Sequence, residues 1–224
     1  MNYPNFNEEK KLRQQGYKLV AGIDEAGRGP LAGPVVAAAV IVRNLKFQIL
    51  NFKSNPNFKN IKDSKKMTAE QRENAYEFLT KHSDIIFGVG IVSEKVIDKI
   101  NILQATKLAM LKSVKNLNPD FLILDGNFLI QKKSDKKYIL QKSIIKGDTK
   151  VMSIAMASII AKVTRDKIMQ KYHKKYSDYG FGEHKGYGTK VHYANLEKFG
   201  PCKIHRKTFC LGSKKKPALI LENF

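Results

Sequence analysis

The segment Tyr17 to Val42 constrains the fold of this chain more than any other. YKLVAGI (Tyr17 to Ile23) and VVAAAVIV (Val35 to Val42) both read as strands. Between them DEAGRGPLAGP, rich in Gly and Pro, reads as a structured loop. Two acids, Asp24 and Glu25, follow an apolar strand directly. Adjacent carboxylates buried at such a point cost free energy unless a cation sits beside them. The chain therefore has to fold so that this strand end meets a compensating charge.

The remaining elements follow from spacing. Thr68 with Gln71 forms a capping box that opens a helix to about Lys81. Ile85 to Val92 (IIFGVGIV) is a third strand. Asn101 to Asn116 carries apolar residues at helical spacing. After Pro119, Phe121 to Leu124 is a short strand ending at Asp125-Gly126, and Gln131 to Lys137 is a lysine-rich loop or hairpin tip. Gly147-Asp148-Thr149 leads into a long helix from about Val151 to Tyr176. Its first half is crowded with small residues, which lets a helix approach a sheet closely. Tyr179 to Phe224 is rich in Gly, aromatics and basic residues, without a clear period. Strands first, then helices alternating with strands, indicate a mixed sheet with helices packed on it.

Composition narrows the function. Forty-one Lys and Arg stand against 20 Asp and Glu, a formal net charge of +21. Such a field favours polyanions, nucleic acid foremost, although a lysine-rich proteome produces the same excess. No apolar run reaches the ~18 residues of a membrane span, and polar Met1 to Glu9 is unlike a signal peptide. Two cysteines, Cys202 and Cys210, are too few for a disulfide framework, so a reduced, cytoplasmic setting is expected. With His205 they offer three zinc ligands and no fourth, a poor structural site.

Four acids sit where the chain turns: Asp24 and Glu25 after one strand, Asp125 at the end of another, Asp148 before the long helix. If the two strands are neighbours, these points converge. All-oxygen ligands select Mg²⁺ or Mn²⁺ over zinc, and two such ions suit phosphodiester cleavage. The plainer readings stay open: Asp148 as a helix cap, Asp125-Gly126 as a turn. Asp166 lies 18 residues beyond Asp148, roughly 27 Å along a continuous helix. It is expected to pair locally with Lys162 or Arg165 instead. Gly27-Arg28-Gly29 matches no nucleotide-binding fingerprint. Either it lets backbone approach a ligand, or it is simply a tight loop.

GIDEAGRGPLAGPVVAAAV (Gly22 to Val40), KDSKK (Lys62 to Lys66), LDG (Leu124 to Gly126), KGD (Lys146 to Asp148), SIAMASIIAKVTRD (Ser153 to Asp166), HKGYGT (His184 to Thr189) and HRKTF (His205 to Phe209) occur in this order. Together they resemble the ribonuclease HII family, the type 2 ribonucleases H. The resemblance implies a ribonuclease H-like α/β fold: a five-stranded mixed sheet flanked by helices, with a helical C-terminal extension. It implies a catalytic domain over 1–176 and a substrate-binding extension over 177–224 packed on it. By the family motif, Asp24, Glu25, Asp125 and Asp148 are the catalytic, metal-binding acids. They would hold two Mn²⁺ or Mg²⁺ ions in the substrate-bound state, with Asp24 touching both. Gly27, Arg28 and Gly29 match a loop that contacts the ribose 2′-hydroxyl through its backbone, and Tyr187 matches a tyrosine that stacks on the sugar. Lys62, Ser64 and Lys65 resemble residues that contact the nucleic-acid backbone.

The implied activity is endonucleolytic hydrolysis of RNA in RNA–DNA hybrids, and cleavage 5′ to single ribonucleotides in duplex DNA, leaving 3′-hydroxyl and 5′-phosphate ends. Its partners would be those nucleic acids, not membrane, and it would act as a monomer in DNA replication and repair. The related type 3 enzymes carry an extra N-terminal domain, for which the 23 residues before Asp24 are too few. A catalytically silent nucleic-acid binder is disfavoured by the complete acid set. Met156, the loop Lys132 to Lys137 and the tail beyond Leu211 depart from the family pattern.

Overall fold

The computed structural model describes residues 3–44, 61, 67–131, 134 and 136–210. Helix α1 (Asn7–Gln14) precedes the strands β1 (Val20–Ala26) and β2 (Val35–Val42). Helix α2 (Ala69–Lys81), β3 (Ile85–Val92), α3 (Glu94–Val114), β4 (Phe121–Asp125) and β5 (Leu140–Ile144) follow. A 3₁₀ turn at Gly147–Thr149 leads into the long α4 (Met152–Lys175). The C-terminal part holds α5 (Phe181–His184), α6 (Lys190–Phe199) and α7 (Lys207–Cys210).

The five strands form one mixed sheet in the order β3-β2-β1-β4-β5. β1, β2 and β3 run antiparallel, while β4 lies parallel to β1 and β5 parallel to β4. Helices cover both faces. Phe6, Ala38, Val40, Met156 and Ile160 belong to the core on the α4 side, and Ala21, Ile23, Ala39, Ile97 and Met110 to the core under α3. β2 is buried along its whole length, so its run of alanines lets helices lie close on either side. Met156, fully buried, is part of that first core.

Several elements differ from the sequence reading. β1 does not stop at Ile23 but continues through Asp24, Glu25 and Ala26, which pair with Ala38, Ala37 and Val36. The acids are thus within the ladder instead of after it. The α3 helix begins at Glu94, seven residues before the expected Asn101. Asn101 is a kink with φ 63° and ψ 167°, and its side chain accepts a hydrogen bond from the Gln104 amide (3.1 Å). The apolar spacing therefore marked the second segment, which Asn101 caps. The capping box on α2 is present in full, with Thr68 and Gln71 bonded reciprocally at 3.1 Å. β5, whose sequence LQKSI has no alternating pattern, and α1 were not evident from spacing.

Candidate active site

The sheet brings two acids together by register alone. Ile23 pairs with Leu124 across the parallel β1–β4 ladder, so Asp24 and Asp125 are the next residues on neighbouring strands and point to the same face. That face is covered by α4. Gly22 permits the close approach: a Cβ there would lie 2.5 Å from the Ile154 amide nitrogen. The small residues of α4 serve this contact.

Asp148 reaches the same place from the 3₁₀ turn, where Lys146 adopts a left-handed conformation (φ 55°). Its role is not that of a helix cap. The N-cap of α4 is Val151, and the first turn is served from a distance by Glu9 of α1, whose carboxylate accepts from the Ser153 amide at 2.9 Å. Asp125 accepts from the Gly147 amide at 2.6 Å, tying the third acid to the turn that carries the fourth. Asp125 therefore does more than form a turn with Gly126.

Asp24, Glu25, Asp125 and Asp148 line one cavity of about 270 Å³. Asp24 is 5% exposed. Burial, and then the charges of Glu25 and Asp125, push its carboxyl well above the usual carboxylate range. Hydrogen bonds from Ser158 and from the Glu25 amide (2.7 Å) partly offset this. Arg28 pairs with Glu25 at 3.3 Å but is itself substantially exposed. Lys162 also lines the cavity, yet it pairs with Asp166 (2.8 Å), the local partnership expected for that acid. Among the described residues no three of these acids stand close enough to hold an ion as they are. They line the walls of one cavity instead. The donor set, all carboxylate oxygen with a buried Asp24 between two like charges, fits a hard divalent cation such as Mg²⁺ or Mn²⁺.

Gly27, Arg28 and Gly29 form part of the same lining, as does half-exposed Tyr187. The Tyr187 ring lies across from Gly29, 3.8 Å from where a Cβ would stand. The cavity thus combines four acids with a glycine loop that approaches a tyrosine. Lys62, Ser64 and Lys65 lie outside the described residues. Ser158 and Lys162 were missed as site residues, although the signal was present: they are four apart on α4, so one helix face presents both.

The C-terminal part is organised by histidines. The Cys202 amide donates to His205 Nδ1 (2.9 Å), which leaves the His205 Nε2 hydrogen to face His192 Nε2 at 3.0 Å. His192 Nδ1 then donates to the Tyr187 carbonyl at 2.8 Å. Burial lowers both histidines to about 4, so the neutral tautomers follow. Both nitrogens of His205 are engaged in this chain, which leaves none to pair with the cysteines as a zinc ligand.

A family model described as Ribonuclease HII matches residues 21–212. The chain is 50% identical over 203 residues to the Ribonuclease HII of Chlamydia trachomatis serovar A, covering 90% of this chain and 86% of that protein. It is 52% identical over 201 residues to the Ribonuclease HII of Acetivibrio thermocellus, covering 90% and 73%. Among solved structures, the ribonuclease H2 from Pyrococcus horikoshii OT3 matches with a TM-score of 0.66 at 29% identity, over 85% of this chain and 93% of that one.

Proposed function

The chain belongs to the ribonuclease HII family, enzymes that cut RNA paired with DNA, and from that premise we propose that it also cuts 5′ to single ribonucleotides in duplex DNA with two divalent cations. The observation that carries this reading is the shared cavity, which four carboxylates line together with a glycine loop and Tyr187. Asp24, Glu25, Asp125 and Asp148 would hold Mg²⁺ or Mn²⁺, which would supply positive charge to the attacking and leaving oxygens of phosphodiester hydrolysis. Water adds across the P–O3′ bond, so the products are a 3′-hydroxyl and a 5′-phosphate.

The chain's own groups account for substrate choice. The 2′-hydroxyl is the one general difference between RNA and DNA at a given site. Backbone groups of Gly27, Arg28 and Gly29 contact that hydroxyl, while Tyr187 stacks on its sugar and hydrogen-bonds through its phenol. The +21 charge draws the duplex in through its phosphates. Lys62, Ser64 and Lys65 contribute phosphate contacts. The same reading gives a catalytic unit over 1–176, a substrate-binding extension over 177–224, a monomer, and cytoplasmic work in replication and repair.

Three duplexes test the proposal with Mg²⁺ or Mn²⁺ present: a uniform hybrid, DNA with one embedded ribonucleotide, and DNA alone. The first two are cut and the third is bound but left intact. An enzyme that cuts the hybrid yet leaves the single ribonucleotide untouched would overturn the finer specificity.

A further inference from the structure

Two arginines lie in the interior, Arg165 on α4 at 1% exposure and Arg206 at 0%. Among the described residues neither pairs with a carboxylate. An uncompensated buried cation costs several kcal/mol in effective terms, so these positions need a different account. Their hydrogen bonds supply it. Arg206 donates to the carbonyls of Gly33 (3.0 Å), Arg28 (2.8 Å) and Gly27 (2.5 Å). Arg165 donates to those of Pro34 (3.0 Å), Ala32 (3.1 Å) and Lys185 (3.0 Å). Five of these six acceptors belong to the loop between β1 and β2. The sixth lies two residues before Tyr187.

The loop is therefore held by its carbonyls from behind. Arg206 is not part of the cavity lining, whereas Gly27, Arg28 and Gly29 are. No peptide bond here is cis, and a trans peptide sets its N–H opposite its C=O. Drawing the Gly27 and Arg28 carbonyls to Arg206 turns the Arg28 and Gly29 amides the other way, towards the cavity. Among the described residues neither amide has an acceptor within the protein. The planar guanidinium fork holds three carbonyls in fixed directions, whereas an ammonium, with its three donors rotating on a flexible stem, would hold them less rigidly. Arg165 performs the complementary task, joining the loop to the turn that carries Tyr187. The Leu31 amide reinforces that joint by donating to the Gly186 carbonyl at 2.8 Å.

We propose that Arg206 and Arg165 are positioning residues for sugar discrimination, setting the two loop amides and Tyr187 at a fixed separation around the 2′-hydroxyl. This rests on the role given above to the loop and Tyr187. The test is a cycle of enzyme and substrate changes. Single-turnover cleavage is measured on duplexes carrying one 2′-hydroxyl or one 2′-fluoro nucleotide, with the wild type, Arg206→Lys and Arg165→Lys. Mn²⁺ affinity and thermal unfolding are followed alongside.

The wild type should favour the hydroxyl strongly. Arg206→Lys should lower the rate on the hydroxyl substrate about 100-fold, with Mn²⁺ affinity unchanged within twofold. The hydroxyl-to-fluoro ratio should shrink at least tenfold, because the lost groups are those that read the difference. Arg165→Lys should shrink it less. A merely structural role lowers both rates equally and leaves the ratio intact; that result in a folded variant overturns the proposal. If Arg206→Lys does not fold, an unchanged ratio in Arg165→Lys overturns it equally. A wild type that does not distinguish the two sugars would instead refute the reading of the loop itself.

Discussion

Gly22→Ala would test whether the close contact of α4 with β1 sets the active site. The added Cβ would stand 2.5 Å from the Ile154 nitrogen and the Ser153 carbonyl carbon, and closer still to Ser153 Oγ. The first two are backbone atoms and cannot rotate away, so α4 must retreat by roughly 1 Å to restore an ordinary contact. Overpacking of this kind costs about 1–3 kcal/mol. At ~2–4 °C per kcal/mol for a chain of this size, the melting temperature should fall by roughly 2–12 °C. α4 also carries Ser158, which hydrogen-bonds Asp24, and Lys162 at the cavity wall. Displacing them by ~1 Å should lower turnover on the order of 100-fold. Gly90→Ala is the control. Its Cβ would meet the Ala109 carbonyl and, at 2.8 Å, the Ser113 amide nitrogen, both on α3 on the opposite face of the sheet. Thermal unfolding and cleavage of a hybrid, measured well below both transitions, should show comparable destabilisation but a turnover loss confined to Gly22→Ala. Wild-type melting and turnover in Gly22→Ala would refute the reasoning, as would an equal turnover loss in Gly90→Ala.

Asp125→Asn keeps an oxygen for the Gly147 amide while removing one of the charges that oppose ionisation of Asp24. It should abolish cleavage with the fold intact, and calorimetry should show weakened Mn²⁺ binding; wild-type turnover at ordinary Mg²⁺ would contradict the site. Tyr187→Phe should reduce cleavage of a single ribonucleotide and Tyr187→Ala should reduce it much further, both with normal Mn²⁺ affinity. Duplex affinity should fall steeply with salt, with a log–log slope of about −0.9 per phosphate contacted, and a flat dependence would mean that the +21 charge serves something else. Burial holds His192 and His205 neutral to about 4, whereas they titrate near 6.5 once unfolded. Only the unfolded chain takes up those protons as pH falls from 6.5, so stability is lost in that direction. With both rings at most 3% exposed, the pair should cost about 2–4 kcal/mol by pH 5, and a urea midpoint unchanged over that range would count against the neutral histidine chain.

Local chemistry wrote much of this protein into its sequence. The capping box of α2, the limits of β2 and β3, and the small-residue face of α4 depend on neighbours along the chain, so spacing alone was enough to read them. Asp24 and Glu25 stood out for a related reason, since adjacent carboxylates in an apolar strand violate the ordinary pattern of burial. Other features are products of distance. That Asp24 adjoins Asp125 depends on β1 lying beside β4, a register between segments about a hundred residues apart. Glu9 serves the first turn of α4 across 144 residues, and this freed Asp148 from the capping role its position suggested. Arg206 holds the glycine loop across 178 and 179 residues, and a buried arginine looks no different in sequence from the many exposed ones around it. Periodicity records which face of an element is apolar; only packing decides which elements meet, and so which donor finds which carbonyl.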